Sequence, residues 1–523
     1  MTDQRPPDDD GPGGESPVER PRATSDPVDH RLAPDAVIDL SPAEAAIADA
    51  MALLSGPALE VPDPRPTAAE LEARWGSAAI EGLAALRTDL DGRRIGLAIS
   101  GGGSLGSFEA GALRFVYDHA KVKPVAITGN SAGAMNAAKL AHGDGPNGEP
   151  IIDDVERLWR SMRINPDMWE PEPWLARILK SAAWASAVRG QVSGTNNAAN
   201  AIRVTMRLVA GFLRRPEETD GTFDAIKDGI RAQSLLSLAP VAGVIATELD
   251  VDRVRSSGIK LRVGTVSLES GELRYVTETG ALHDREDQPL DLPPVPLADG
   301  ILASASIPVA FPPVLLGDEH YVDGGAREIL PLEILVQHLD VERSIAISAS
   351  SPTIDRSASF ANRSLLDILR RVTAEIATNE TLRKELNPPG GWGDTVRLVV
   401  PEIDVHDAMT VDPALIAISF DYGWMRAADL LLGLDETTRY LATELTRTRM
   451  LLRELAGPLP TLFGTDPAAL LEPRIPAVPA WTDGKETLTA RLHEQTASRL
   501  ALGAPLPPSL LSWLDASPAP ADA

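Results

Sequence analysis

Between Arg94 and Gly133 the chain carries two short apolar runs, Ile95–Ser100 and Val125–Thr128, each followed by a glycine-containing loop and a helical stretch. Strand, loop, helix, strand, loop, helix predicts a parallel sheet covered by helices. The first of these helices is expected at about 107–119. Further apolar runs predict strands at 243–248, 261–268, 272–277, 344–349 and 396–400, with Ser267-Leu268-Glu269-Ser270-Gly271 as a hairpin turn. Upstream, Ser41-Pro42-Ala43-Glu44 and Thr67-Ala68-Ala69-Glu70 are capping signals. They predict helices at 42–54 and 68–88. Residues 150–240 read as a helical insertion and 360–387 as a long helix. Leu434, Leu441, Leu445, Leu452 and Leu455 share one helical face, read as packing ahead of a dimer contact. The expected division is an acidic, Pro-rich disordered arm (1–35), a helical extension (36–90), a central domain (91–435) and a helical, Pro-rich tail (436–523).

Composition narrows the function. With 43% apolar and 24% charged residues in 523, the chain has enough apolar mass for a large core. It has no cysteine, which excludes a disulfide framework, a thiolate nucleophile and Cys-type zinc sites. A net charge of −26 argues against nucleic acid as a partner, since phosphate attraction needs basic residues in excess. Met1–Asp35 lacks the apolar core of a secretory signal. The uncharged run Gly300–Gly317 holds Pro308, Pro312 and Pro313 and so does not read as a membrane span. The expectation is a soluble cytoplasmic protein, with peripheral membrane contact as its companion.

Three glycine-centred signals bear chemistry. Gly101-Gly102-Gly103-Ser104-Leu105-Gly106 follows a strand and opens a helix, so its N–H groups suit an anion. Gly129-Asn130-Ser131-Ala132-Gly133 is a G-x-S-x-G at a strand-to-helix junction, the setting of a nucleophile elbow. Tyr321-Val322-Asp323-Gly324-Gly325 closes an apolar stretch, preceded by Ala303-Ser304-Ala305-Ser306-Ile307-Pro308 and Phe311-Pro312-Pro313. Taken singly, the second has a plain reading as a turn with a capping serine, and the third as an Asp-Gly turn.

In this order the three motifs resemble the patatin-like phospholipase family of lipid acyl hydrolases, over roughly Arg94–Pro331. The resemblance implies a three-layer α/β/α patatin-like fold with a mainly parallel sheet. It implies a catalytic dyad of Ser131 and Asp323. It places the oxyanion hole in the loop Gly101, Gly102, Gly103 and Ser104, with Gly106, Gly129, Gly133, Gly324 and Gly325 supporting the motifs. No metal or cofactor is implied. Two positions depart from the family pattern. Leu105 stands where many members have a basic residue, which puts a head-group contact there in doubt. Ala326–Pro331 lacks the Asn that often follows Asp-Gly-Gly.

The chemistry expected is cleavage of a carboxylic ester of a lipid, phospholipase A, lysophospholipase or esterase-like, through an acyl-enzyme. A serine needs a positioned base, and partial burial should raise the Asp323 carboxyl. The alternatives are a Ser-His-Asp esterase using His338 or His406, and a non-enzymatic acyl-lipid-binding or regulatory scaffold. A dinucleotide-binding reading of Gly101-x-Gly103-x-x-Gly106 lacks the acidic residue it needs after the second strand.

From Trp174 to Arg215 there are seven basic residues, Arg177, Lys180, Arg189, Arg203, Arg207, Arg214 and Arg215, and no acidic one. Trp159, Trp169, Trp174 and Trp184 lie in or just before this stretch. Basic residues with Trp suit an interfacial segment. A mobile lid on anionic lipid and a static helical cap are equally good readings of it.

Overall fold

Ile95–Ile99 is strand β1, buried at all five positions. Its side chains alternate between two cores. Ile95, Leu97 and Ile99 join Phe108, Phe115 and Ile127 on one face, while Ala98 joins Leu332, Leu335 and Leu386 on the other. A period-two strand buried on both faces needs helices on both sides, and the architecture is accordingly three-layer α/β/α. The structure, a computed structural model, describes residues 62–179, 232–354, 359–360, 368, 371–455 and 478–516.

The remaining strands are β2 (Pro124–Gly129), β3 (Glu170–Pro171), β4 (Leu236–Ser237), β5 (Lys260–Ser267), β6 (Leu273–Thr277), β7 (Leu282–His283), β8 (Val314–Leu316), β9 (Glu319–Asp323), β10 (Arg343–Ile347) and β11 (Val396–Val399). The main sheet runs β11-β10-β1-β2-β5-β6-β7, with β9 on β5 and β8 on β9. From β11 through β5 the pairing is parallel. Strands β6 to β9 pair antiparallel. After β1 the chain moves outward to β2 and β5, then returns to the opposite side for β10 and β11. A switch of direction in an open sheet opens a crevice at the carboxyl ends of the strands.

One register decides where the motifs meet. β2 pairs β5 as far as Gly129 opposite Val263. β9 then takes over the pairing, with Asp323 opposite Thr265. The carboxyl ends of β2 and β9 therefore point at each other along β5.

Helix Gly106–Phe115 packs on helix Pro413–Leu431, where Phe108 meets Tyr422 edge to face at 5.6 Å. The second helix and its N-cap carry three buried carboxylates. Asp412 pairs with Arg453 at 2.6 Å, Asp421 with Arg449 at 2.8 Å and Asp429 with Arg499 at 2.5 Å. Arg449 and Arg453 lie on helix Glu436–Leu455, and Arg499 on helix Val478–Ala501. The C-terminal helices are thus bonded to the helix that backs the glycine loop. Leu434, Leu445 and Leu452 are buried within this packing.

Several segments differ from expectation. Residues 243–248 are part of helix Ala239–Glu248, not a strand. A short apolar run fits either period, and here Val241 and Ile245, four apart, are the buried positions. The helix expected at 68–88 is two, Ala68–Glu72 and Ser77–Leu90, parted at Gly76, whose N–H bonds Gly503 O at 2.8 Å. In the 360–387 stretch, a π-helical Arg371–Ala377 precedes helix Thr378–Leu386. Trp159, Trp169 and Trp174 are buried in the core rather than presented to a lipid surface. The arm 1–35, the helix at 42–54 and residues 180–231, with most of the basic stretch, lie outside the described residues. No described helix is long and apolar enough to cross a membrane.

Candidate active site

Ser131 sits between β2 and helix Ala132–Leu140 with φ 53° and ψ −125°. A non-glycine residue there is strained, and the surroundings must hold it. Gly133 lets the turn close: a Cβ on it would lie 2.2 Å from Ser100 O and 2.5 Å from Ile99 O. The Ser131 N–H donates to Ser304 Oγ at 3.0 Å. The nucleophile candidate is thereby fixed from outside its own turn, and its side chain stands at a helix N-terminus, where the dipole favours negative charge.

Asp323 ends β9. Its N–H donates to Ser306 O at 2.9 Å, and its Oδ1 accepts the Gly325 N–H at 2.7 Å. The Ser131 side chain lies near enough to lower its carboxyl. Burial raises the Asp323 carboxyl to about 6, against the lowering effect of Ser131 and the Gly325 N–H. The structure therefore brings together two side chains that the sequence holds far apart. It also shows what the 303–313 segment does: Ser304 and Ser306 brace one member each.

The glycine loop divides into committed and uncommitted amides. Gly101 N–H donates to Ile329 O at 3.0 Å, and Ser104 N–H to Ala408 O at 2.9 Å. Those two amides, included in the oxyanion expectation, are already engaged and are set aside. The amides of Gly102 and Gly103 have no partner among the described residues. Gly103 has φ +57°, and a Cβ there would meet Ala408 O at 2.2 Å. Leu105 is buried, so it presents nothing to a head group.

Behind the loop lies a polar network that the motifs did not reveal. Glu109 is fully buried and accepts from Ser100 Oγ and Asn136 Nδ2, both at 3.0 Å. Burial holds its carboxyl well above the usual range. Asn136 Oδ1 in turn accepts Trp159 Nε1–H at 2.8 Å. Glu109 and Asn136 lie on helices flanking the two glycine motifs, and only their shared burial marks them.

Among the described residues, no histidine hydrogen-bonds Ser131 or Asp323. His320 pairs with Glu269 at 2.8 Å in solvent. His338 is half-buried on helix Leu332–His338. His406 is buried with Nδ1 2.9 Å from Asp407 O and 3.3 Å from Ser104 Oγ, and burial pushes its pKa down. No described group of three or more His, Asp or Glu side chains could hold a metal ion.

Ser131 opens onto a narrow cleft. Met135, Met168, Trp169, Val241 and Phe311 line it with apolar surface. A buried hydroxyl beside a raised carboxylate and two unspent amides can together accept a proton and hold an oxyanion, and the cleft beside them offers an apolar lining to a substrate.

Residues 97–336 match the model of the family described as patatin-like phospholipase. No curated protein matches the chain. Among solved structures, VipD from Legionella pneumophila is 14% identical, with 81% of this chain and 90% of that one covered and a TM-score of 0.32. Human GIVD cytosolic phospholipase A2 is 10% identical over 74% and 65%, with a TM-score of 0.31. Full-length ExoU of Pseudomonas aeruginosa, in complex with SpcU, is 15% identical over 81% and 70%, with a TM-score of 0.20.

Proposed function

Residues 97–336 being a patatin-like phospholipase domain, we propose that this chain hydrolyses carboxylic ester bonds of lipids through a Ser131–Asp323 dyad. The observation that carries the reading is the meeting of Ser131 and Asp323 where β2 and β9 face each other along one edge of β5, beside the two uncommitted amides of Gly102 and Gly103.

The acyl chain lies in the apolar cleft and brings its ester carbonyl over Ser131. Asp323 accepts the hydroxyl proton as Ser131 Oγ bonds to the carbonyl carbon. A carboxyl raised to about 6 is a better base than an exposed aspartate and is still ionised near neutral pH. The tetrahedral oxyanion accepts from the Gly102 and Gly103 N–H groups; one such donor is worth ~3 kcal/mol. Asp323 then returns the proton to the departing alcohol. Water loses a proton to Asp323 as it attacks the acyl-enzyme, and Asp323 returns that proton to Ser131 Oγ as the fatty acid leaves.

The basic stretch 174–215 supports a companion proposal, peripheral contact with an anionic membrane, on charge alone.

A fluorophosphonate probe together with phospholipid and lysophospholipid vesicles tests the dyad. Wild type is expected to be labelled and to release fatty acid. Ser131→Ala should lose both, and Asp323→Asn should lose turnover. Fatty-acid release by folded Ser131→Ala at the wild-type rate would refute the assignment.

A further inference from the structure

Residues 328–331 lie where the three motifs meet. Thr128, near the end of β2, donates its hydroxyl to Pro331 O at 2.6 Å. Asn130, next to Ser131, donates Nδ2–H to Glu328 O at 2.5 Å. The Gly101 amide donates to Ile329 O at 3.0 Å, and Glu328 N–H to Gly324 O at 2.9 Å. The strand, the elbow, the glycine loop and the Asp-Gly-Gly turn all hang on these four residues.

The N–H groups of Ile329 and Leu330 go to a single side chain. Glu385 Oε1 accepts from Ile329 and Oε2 from Leu330, both at 2.9 Å. Glu385 lies on helix Thr378–Leu386, outside residues 97–336.

Peptide groups are rigid planes with the C=O and the following N–H on opposite sides. Glu328 C=O and Ile329 N–H belong to one plane, and Ile329 C=O and Leu330 N–H to the next. Holding the two N–H groups therefore aims the two carbonyls, one at Asn130 and the other at Gly101. We propose that Glu385 is a positioning residue: its carboxylate orients two successive peptide planes, which fix the serine elbow and the glycine loop relative to each other.

Glu385 is part-buried, and desolvation, with Glu328 adding to it, raises its carboxyl to about 8 against the two N–H groups and Arg285, so both oxygens are free to accept above that pH. Its two oxygens form one rigid fork that meets two donors on successive planes, both at 2.9 Å.

This inference rests on the dyad reading and is tested in the full chain at pH 9, where the carboxyl is ionised, with Glu385→Gln, which keeps the shape but turns one acceptor into a donor. Fluorophosphonate labelling of Ser131 is expected to slow at least tenfold. Ester turnover should fall at least tenfold in kcat, with KM within twofold. Exchange of the Gly101 amide should quicken. Glu385→Asp keeps both acceptors one methylene shorter and should recover part of the rate; if Glu385→Gln does not fold, the same comparison on Glu385→Asp decides. A folded variant with a lower Tm but labelling and kcat within twofold of wild type would make Glu385 purely structural and overturn the proposal. Absence of labelling in wild type would instead overturn the dyad reading itself, and the positioning role with it.

Discussion

The N–H of Ser131 donates to the hydroxyl of Ser304 at 3.0 Å, across 173 residues of sequence. Ser304 has no exposed surface. In Ser304→Ala the amide keeps its burial and loses its acceptor, at a cost of about 1–3 kcal/mol. Because the strained elbow bears that loss, kcat should drop about tenfold with little change in KM, an effect of about 1.4 kcal/mol on the barrier. Steady-state kinetics with a soluble ester, beside a thermal melt, checks this. Unchanged kcat with a lowered Tm would mean that Ser304 only supports the fold.

Asp323 must be ionised to accept a proton, so activity should climb through about pH 6 and be lost below it, following one ionisation. Stability runs the other way. The folded-state pKa lies above that of the unfolded chain, so the native state binds more protons between about pH 4 and 6. Its contribution is full at low pH and is lost as pH rises, by up to about 3 kcal/mol. Asp323→Asn removes that charge while keeping the oxygen that accepts from Gly325. It should abolish turnover and raise Tm at pH 8. A lower Tm at pH 8 would contradict the assignment of burial as the dominant cause.

Arg499 and Asp429 are both fully buried and bonded at 2.5 Å. Burial raises the Asp429 carboxyl against the pull of Arg499. Arg499→Ala leaves that carboxylate unpaired, which costs about 3–5 kcal/mol. Arg499→Met with Asp429→Leu should recover most of the loss. Urea unfolding of both forms decides, and equal midpoints for the single and double variants would contradict this account.

The basic stretch is tested by flotation with vesicles rich in phosphatidylserine. Replacing Arg203, Arg207, Arg214 and Arg215 by Glu should abolish binding to these vesicles and leave hydrolysis of a soluble ester intact. Binding that survives the charge reversal would rule out an electrostatic dock.

The local chemistry was legible because it is written in consecutive residues. Gly101–Gly106 and Gly129–Gly133 need small residues in a row where a backbone must pass close, and Asp323 is flanked by the same signal. The strands of the parallel sheet were readable as apolar runs because both their faces are buried. What could not be read is long-range. Nothing near Glu385 says that its oxygens meet Ile329 and Leu330. The split at Gly76 depends on Gly503, far along the chain. Val244-Ile245 misled because a short apolar run carries no period of its own. The hairpin of β8 and β9, which delivers Asp323, turns on Gly317-Asp318 with Gly317 at φ 63°, a local signal of the kind that sequence can carry.

The handover along β5 makes the chemistry depend on alignment rather than on composition. Successive side chains in a strand face opposite sides, so sliding β9 by one residue would turn Asp323 away from Ser131. The same slip would turn Tyr321 and Val322 out of the clusters they fill. The residues that seat β9 in the interior therefore also set the distance between hydroxyl and carboxylate, so a molecule that has packed this strand has already aligned its chemistry.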